Sequence, residues 1–278
     1  MEDRYKIFNI DGKTIILTGA TGVIGSEVAK YLATFNVNLV LVGRNFDKLK
    51  SLKKEISNKK SNIEILKCDL LKEKSLQNVI EKIIKKFNSI NALINAAGGH
   101  VPGSVLSENQ TIFQLDFKKF DETIRLNLDG TVLPSIIFGE EICKNNNGSI
   151  ITISSMAATR AITRVVGYSI AKAGIENFTR WLAMDLALKF GNGIRVNSIA
   201  PGFLITNQNK NLLIDRYGNL TERGEKIISM TPFKRFGEPK ELLGAILFLL
   251  FAIIIIYFYD KRFKLNRSNF PQVIEVIK

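Results

Sequence analysis

The chain has 278 residues, 46% hydrophobic and 23% charged, which is enough for one large α/β domain or two small ones. One histidine and two cysteines far apart in the sequence nearly exclude a zinc site and disfavour a Ser-His-Asp triad, so we expect no metal. The net charge is +13, but the basic residues are spread over predicted helix faces without a groove-reading motif, so we expect no nucleic-acid partner.

Short apolar, β-branched runs alternate with helical patterns along most of the chain. We predict strands at residues 14–18, 37–42, 63–67, 92–95, 149–154 and 194–199. We predict helices at residues 25–35, 47 to about 57, 75–87, 117–127 continuing toward 144, and 167–190. Strands separated by helices of this length pair in parallel. The predicted fold class is therefore α/β, a single doubly wound Rossmann-type domain with a parallel sheet flanked by helices.

A glycine-rich turn lies between the first predicted strand and the first predicted helix. Gly19 permits the tight turn, Gly22 lets the backbone approach a pyrophosphate, and Gly25 lets helix and strand pack closely. The first N–H groups of the helix would bind the phosphates. A purely structural turn is the alternative, but the strand before it and the helix after it favour a dinucleotide site. The cofactor-binding candidates here are Thr18, Gly19, Thr21, Gly22, Val23, Ile24 and Gly25.

Arg44 follows the second predicted strand, where an acidic residue would hold a ribose 2′-hydroxyl. An arginine suits a 2′-phosphate instead, so we expect NADP(H) in preference to NAD(H). The alternative is a solvent-facing arginine that covers the adenine. Asp69, just after the third strand, is placed to contact the adenine.

Tyr168 and Lys172 are spaced i, i+4 on a predicted helix, so their side chains share one face. A nearby ammonium favours the phenolate, and we expect Lys172 to lower the pKa of Tyr168. Tyr168 could then exchange a proton with a substrate oxygen that Ser155 also binds. The spacing alone is weak evidence, since it also occurs on solvated helix faces.

These motifs together resemble the short-chain dehydrogenase/reductase family over about residues 10 to 250. The matching residues are Thr18 to Gly25, Asn95, Ala96, Ala97, Gly98, Asn127, Ser155, Tyr168, Lys172, Pro201 and Gly202. The glycine spacing T-G-x-x-G-x-x-G is commoner in the sugar-nucleotide-modifying branch of that family. The remaining motifs and the length favour its oxidoreductase branch.

The resemblance implies roles for residues that the spacing arguments do not reach. It implies that the segment from Asn95 to Gly98 stabilises the sheet and lines the cofactor. Asn127 would hold a water that relays protons to Lys172, which would also bind the nicotinamide ribose. The segment containing Pro201, Gly202 and Thr206 would meet the carboxamide.

Residues 97–103, 155–158 and 201–209 resemble members of the family that are D-mannonate oxidoreductases (fructuronate reductases), which act on sugar acids. Arg160 and Arg164 lie between Ser155 and Tyr168, where a guanidinium could bind a substrate carboxylate. A subunit or surface contact is the alternative for either arginine. His100 and Asn209 are candidates for hydroxyl contacts. Residues 203–230 are long enough to form a lid over the substrate.

The resemblance ends near residue 250, so we expect a domain at residues 1–250, a divergent tail at 251–278, and a doubtful seventh strand. Residues 242–259 carry no charge and reach the lower limit of a membrane span, although their first half matches the last core helix of the family. Residues 253–256 could equally form a buried strand. A disrupted or replaced tail, a natural divergent tail and a membrane anchor remain alternatives, of which we expect the membrane least.

The leading hypothesis is an NADP(H)- or NAD(H)-dependent oxidoreductase that interconverts a secondary alcohol and a ketone, on a sugar acid such as D-mannonate or D-fructuronate. The alternatives are a non-catalytic or C-terminally damaged dinucleotide-binding protein and a membrane-attached reductase. We expect a small-molecule substrate and a homo-dimer or homo-tetramer. Residues 1–11 show no signal-peptide pattern and the cysteines form no C-x-x-C, so we expect a cytoplasmic protein.

Overall fold

The computed structural model describes residues 9–206 and 209–251, and the backbone of residues 275–276. Parallel strands form one sheet in the order β3-β2-β1-β4-β5-β6. The six strands are β1 Thr14–Thr18, β2 Asn38–Gly43, β3 Asn62–Lys67, β4 Ala92–Asn95, β5 Gly148–Ile153 and β6 Ile194–Ile199. A two-residue strand, β7 Glu275–Val276, lies parallel to β6 at the position that the sequence analysis left doubtful.

Helices connect the strands and cover both faces of the sheet. They are α1 Val23–Leu32, α2 Phe46–Ile56, α3 Glu73–Phe87, α4 Phe117–Ile124, α5 Gly130–Cys143, α6 Val166–Phe190, α7 Lys210–Leu213, α8 Glu222–Met230 and α9 Leu243–Phe251. Each of the six predicted strands is present within one residue of its predicted bounds. The doubly wound α/β fold predicted from the sequence is confirmed.

The core consists of two layers, one on each face of the sheet. Successive residues of a strand point to opposite faces, so Ile15 and Leu17 of β1 pack with α1, α2 and α9. Ile16 between them packs with α3, α5 and α6 on the other face. The strands are therefore buried on both sides, which explains their continuous apolar sequences.

The strand order reverses between β1 and β4, which are neighbours although two strands separate them in the sequence. In sheets of this kind, ligands bind beyond the carboxyl ends of the strands at such a reversal. Thr18 and Asn95 are paired at those ends. The fold therefore brings the glycine turn after β1 and the segment after β4 to one edge of the sheet.

The predicted continuous helix from residue 117 toward residue 144 is wrong in one respect. After α4, residues Arg125–Asp129 form a wider π-helical turn before α5 begins. Pro134 has no N–H to continue the regular pattern, and the Thr131 hydroxyl donates to the Asn127 carbonyl oxygen at 2.8 Å. Such wider turns are frequent at functional sites, and this one contains Asn127.

The apolar segment near residue 250 begins as a core helix. Ile246 and Leu249 of α9 are buried in the layer with α1 and α2. The Ser149 hydroxyl donates to the Leu249 carbonyl oxygen at 2.8 Å, and the Arg195 Nη2 donates to the Leu250 carbonyl oxygen at 3.0 Å. These bonds satisfy carbonyl groups that a helix end otherwise leaves unpaired.

Within the part of the chain that the structure describes, no helix is both long and apolar enough to cross a membrane. Residues 252–259, which complete the apolar segment, lie outside the described residues. The predictions of a buried strand or an anchor there concern those residues.

Candidate active site

Tyr168 and Lys172 face the end of β5 from the first turns of α6. The Ser155 hydroxyl, two residues beyond β5, forms a hydrogen bond with the Tyr168 phenol. The Lys172 Nζ lies 5.4 Å from the centre of the Tyr168 ring. The i, i+4 spacing concerned only Tyr168 and Lys172, and the structure brings Ser155 beside them from the end of β5.

Lys172 is almost fully buried, with 4% of its surface exposed. Its Nζ donates to the Ile153 carbonyl oxygen at 2.7 Å. Burial lowers the pKa of Lys172 to about 8, because the charged form loses its hydration. The ammonium is therefore still the main form at neutral pH, but it titrates close to that range.

The expected net lowering of the pKa of Tyr168 is not found, because burial outweighs the effects that favour the phenolate. Burial raises the pKa of Tyr168, and the hydrogen bond with Ser155 opposes this rise. The Lys172 ammonium is directed to the Ile153 carbonyl oxygen and does not form a bond with the phenol oxygen. Tyr168 is consequently a protonated phenol at neutral pH, which suits a proton donor to a substrate oxygen.

Asn127 is fully buried in the π-helical turn, and both the oxygen and the nitrogen of its side-chain amide form hydrogen bonds. Its Oδ1 accepts from the Gly99 N–H at 2.9 Å. Its Nδ2 donates to the carbonyl oxygens of Gly99 and Thr123, both at 2.8 Å. The side chain thus fixes the loop that follows β4, a role that the resemblance to the family did not imply.

The glycine turn is shaped for close approach of two backbones. Gly19 has φ +62°, and a β-carbon there would lie 2.6 Å from the Ala96 carbonyl oxygen and from the Ala97 nitrogen. A β-carbon at Gly98, where φ is +151°, would lie 2.6 Å from the Asn127 Oδ1. Glycine is therefore required at both positions, and the two loops can lie side by side.

The start of α1 leaves backbone donors for an anion. Gly22 is the residue before the helix and provides no side-chain cap for the N–H groups of Val23, Ile24 and Gly25. Thr18 is buried at the end of β1, and Thr21 lies half-buried in the turn. These features fit the pyrophosphate of a dinucleotide, as the sequence predicts.

Two further candidates lie along the same edge of the sheet. Arg44 is exposed directly after β2. Asp69 is half-buried after β3, where its Oδ1 accepts from the Leu71 N–H at 3.2 Å and its Oδ2 lies 3.6 Å from the Lys72 Nζ. The Asp69 carboxylate thus interacts with residues of the turn to which it belongs.

The segments after β4 and β6 complete the edge. The Asn95 Nδ2 donates to the Ser135 hydroxyl at 2.9 Å, which ties the end of β4 to α5. The Met156 N–H, next to Ser155, donates to the Pro201 carbonyl oxygen at 3.1 Å. Gly202 is exposed beside it and Thr206 is half-buried.

The four substrate candidates occupy different environments. The His100 ring lies 4.6 Å from the Tyr168 ring, and burial followed by the Lys172 charge lowers the pKa of His100. Arg160 is exposed, and Arg164 is half-buried in the loop before α6. The Asn209 amide bonds the Thr206 N–H and the Leu204 carbonyl oxygen, so it holds a turn.

The sequence analysis missed Glu176, a buried carboxylate on α6 one turn after Lys172. Its Oε1 accepts from the Ser154 hydroxyl at 2.9 Å, and that hydroxyl also lies 3.4 Å from the Lys172 carbonyl oxygen. Ser154 directly precedes Ser155, so this bond positions the end of β5 against α6. The signal in the sequence was an acidic residue at i+4 from Lys172, on the helix face that also carries Tyr168.

No group of His, Cys, Asp and Glu among the described residues is arranged to hold a metal ion. The site contains a phenol that can give or take a proton, a hydroxyl beside it and a buried ammonium. The glycine turn after β1 adds backbone groups that can bind a dinucleotide. Such a site belongs to an oxidoreductase that uses a nicotinamide dinucleotide and acts on a CH–OH group.

Comparisons with known proteins agree with this class. The family model described as short chain dehydrogenase matches residues 13–216. An uncharacterized oxidoreductase of Bacillus subtilis is 39% identical over 249 residues, which are 87% of this chain and 88% of that protein. The chain therefore belongs to the short-chain dehydrogenase family and is an oxidoreductase with a nicotinamide cofactor.

Two solved structures share the fold. One, with bound NAD, is of a Haemophilus protein provisionally named a D-mannonate oxidoreductase; it is 39% identical, with a TM-score of 0.81, over 89% of this chain and 92% of that chain. The other, with NADP at low occupancy, is of a Beutenbergia cavernae protein provisionally named a gluconate 5-dehydrogenase; it is 26% identical, with a TM-score of 0.74, over 87% and 91%. Relatives therefore bind either cofactor.

Gly19→Ala should weaken NADH binding by at least about 10-fold, because the new methyl group enters the loop after β4 and the backbone has positive φ. Titration calorimetry measures this. Gly244→Ala is the matched control, because a β-carbon there has open space around it. Unchanged NADH affinity in the folded Gly19→Ala variant would contradict the assigned cofactor cradle.

Glu176→Leu should lower kcat by about 10-fold with NADH affinity retained, because Ser154 loses its acceptor and the neighbouring Ser155 is no longer held. Glu176→Gln keeps an acceptor oxygen and should restore most of the rate. Glu81→Leu, at an exposed position of α3, is the control. Equal rates for the Leu and Gln variants would refute the positioning role.

Proposed function

We propose that this protein interconverts the secondary alcohol of a sugar acid and the corresponding keto acid, with D-mannonate and D-fructuronate as the first pair to test. The observation that carries the proposal is the hydrogen-bonded pair of Ser155 and Tyr168, with Arg164 in the loop that joins them. The 39% identity to the Haemophilus protein supports the substrate class.

In ketone reduction, the nicotinamide supplies the hydride when it is bound. Tyr168 gives its phenolic proton to the substrate oxygen, which the Ser155 hydroxyl also binds. The Lys172 ammonium lies near enough to stabilise the phenolate that results. Asn127 acts as a positioning residue, because its amide holds the loop that contains Gly99 and His100.

We propose NADP(H) in preference to NAD(H). Arg44 is exposed at the end of β2, the position at which an acidic residue would instead select the ribose 2′-hydroxyl. A guanidinium there supports binding of a 2′-phosphate. His100, beside Tyr168, is the candidate for a substrate hydroxyl.

We further propose that residues 1–250 are the catalytic domain and that the protein works in the cytoplasm as a homo-dimer or homo-tetramer. Cys68 and Cys143 are buried free thiols, which supports a reducing compartment. Large apolar side chains are exposed on one face of α6 at helical spacing, including Trp181 (62%), Met184 (42%) and Leu188 (75%). A monomer rarely leaves such a face open, which supports self-association there.

Tyr168→Phe should reduce the rate of NADPH or NADH oxidation with D-fructuronate by about 10²–10⁴-fold, because the proton donor is lost while the ring remains. Cofactor binding should be retained. Absorbance at 340 nm measures turnover, and comparison of the two cofactors tests the role of Arg44. Tyr217→Phe, at an exposed tyrosine, is the control. Full turnover by Tyr168→Phe would refute the mechanism.

Trp181→Glu should shift the protein to the monomer in sedimentation velocity, because the charge would have to be buried in the interface. Phe233→Glu changes another exposed aromatic side chain, in the segment after α8, and should leave the assembly unchanged. An unchanged oligomer in the Trp181 variant would exclude this face as the interface.

A further inference from the structure

Two arginine side chains from separate segments meet at the loop before α6. Arg164 belongs to that loop, and Arg223 is the second residue of α8. The Arg223 Nη1 donates to the Thr163 hydroxyl at 3.2 Å, and its Nη2 donates to the Thr163 carbonyl oxygen at 3.3 Å. Because Thr163 directly precedes Arg164, the Arg223 guanidinium lies beside Arg164, close enough for the Arg164 charge to lower the pKa of Arg223.

The backbone at Arg164 is held in an unfavourable conformation. Its φ is +74°, a region that non-glycine residues seldom adopt and that costs about 1–3 kcal/mol. Leu106 holds it there: the Leu106 N–H donates to the Arg164 carbonyl oxygen at 3.0 Å, and the Arg164 Nε donates to the Leu106 carbonyl oxygen. Strain that the surroundings maintain in this way is typical of ligand clamps.

The charge of Arg223 is offset only in part, by the nearby Glu108 carboxylate. Burial and the Arg164 charge lower the pKa of Arg223, and Glu108 opposes this effect. Within the described ranges, neither guanidinium forms an ion pair with a carboxylate, since no carboxylate oxygen lies within 4.0 Å. Two adjacent cations of this kind attract an anionic ligand.

The arginines lie where the chain borders the catalytic tyrosine. The loop of Arg164 runs from Ser155 into α6, which carries Tyr168. Leu106, to which Arg164 is bonded, belongs to the segment that starts at His100, whose ring contacts the Tyr168 ring. The two segments that flank Tyr168 are thus joined to each other at Arg164.

We propose that Arg164 and Arg223 together bind the carboxylate of the substrate and so select acidic over uncharged ketones. This rests on the proposed function of the site. Among the described residues, neither Nη group of Arg164 donates a hydrogen bond, and Arg223 has its Nε–H and one N–H on each Nη left to donate. A carboxylate between them receives charge-assisted hydrogen bonds from both. Arg223 is therefore a specificity-determining residue that α8 supplies.

The test compares D-fructuronate with D-fructose, an uncharged ketose. Arg223→Gln and Arg164→Lys should each lower kcat/KM for fructuronate by about 10–100-fold, since each removes hydrogen bonds to a charged group. The slower rate of Arg223→Gln with fructose should change by less than about 2-fold. Arg164→Lys also removes the Nε bond to Leu106, so it should slow fructose reduction too, but by less than it slows fructuronate reduction. Arg216→Gln is the control, because Arg216 lies in the same segment and bonds the exposed Tyr217. Equal losses for both ketoses, or no loss for fructuronate, would overturn the proposal.

Binding of D-mannonate, measured by calorimetry with NADP⁺ present, gives a readout that needs no turnover. The arginine variants should lose this binding while they keep NADP⁺ affinity. If the unaltered protein reduces fructuronate and the variants do so equally, this inference fails and the proposed function stands. If the unaltered protein does not reduce fructuronate, the proposed substrate is wrong, and mannonate binding then decides the inference: its loss in the variants supports the carboxylate site, whereas absent or unaltered binding overturns it.

Discussion

The attachment of the end of β5 to α6 is the constraint on which the reactive geometry depends. The Lys172 Nζ reaches back to the Ile153 carbonyl oxygen, and the Ser154 hydroxyl bonds Glu176 one turn further along the helix. Ser155 follows at once, so its hydroxyl has little freedom relative to Tyr168. A strand end and a helix that would otherwise be joined only by a loop are thus fixed at three successive residues.

The same bonds explain the electrostatic character of the site. Burying an ammonium is costly, and Lys172 offsets part of that cost with a strong bond to a carbonyl oxygen. Burial still disfavours the charged form and lowers the pKa of Lys172 to about 8. The phenol is buried with it and keeps its proton. Structural anchoring and proton chemistry therefore use the same side chains.

A second constraint is the close approach of the loops after β1 and β4. Gly19 lies against the backbone of Ala96 and Ala97, and Gly98 lies against the Asn127 amide. There is no room for a side chain at either glycine, so the two loops can lie in close contact with each other. Backbone rather than side chains therefore forms this part of the site, and backbone N–H groups can bind phosphate there.

Much of this was predictable from the sequence, because it follows from local patterns. The strands have apolar β-branched runs, and the Tyr168–Lys172 pairing follows from helical spacing. What could not be predicted depends on contacts between distant residues. The π-helical turn at Asn127 is bonded to Gly99, which lies 28 residues away. The bond from Arg223 to Thr163 spans 60 residues. The pKa of Tyr168 is dominated by burial, which no spacing argument measures.

The way α9 ends has a consequence for which residues the helix depends on. Its last carbonyl groups are bonded by Ser149 and Arg195, paired residues near the amino ends of β5 and β6. The residues that donate these bonds lie 100 and 55 positions earlier in the sequence. They are at the end of the strands remote from Tyr168. Both of these partners belong to the sheet, so the bonds to the Leu249 and Leu250 carbonyl groups do not use any residue after Phe251. The last described turn of α9 is therefore anchored to the sheet at the ends of β5 and β6 that lie away from the catalytic groups.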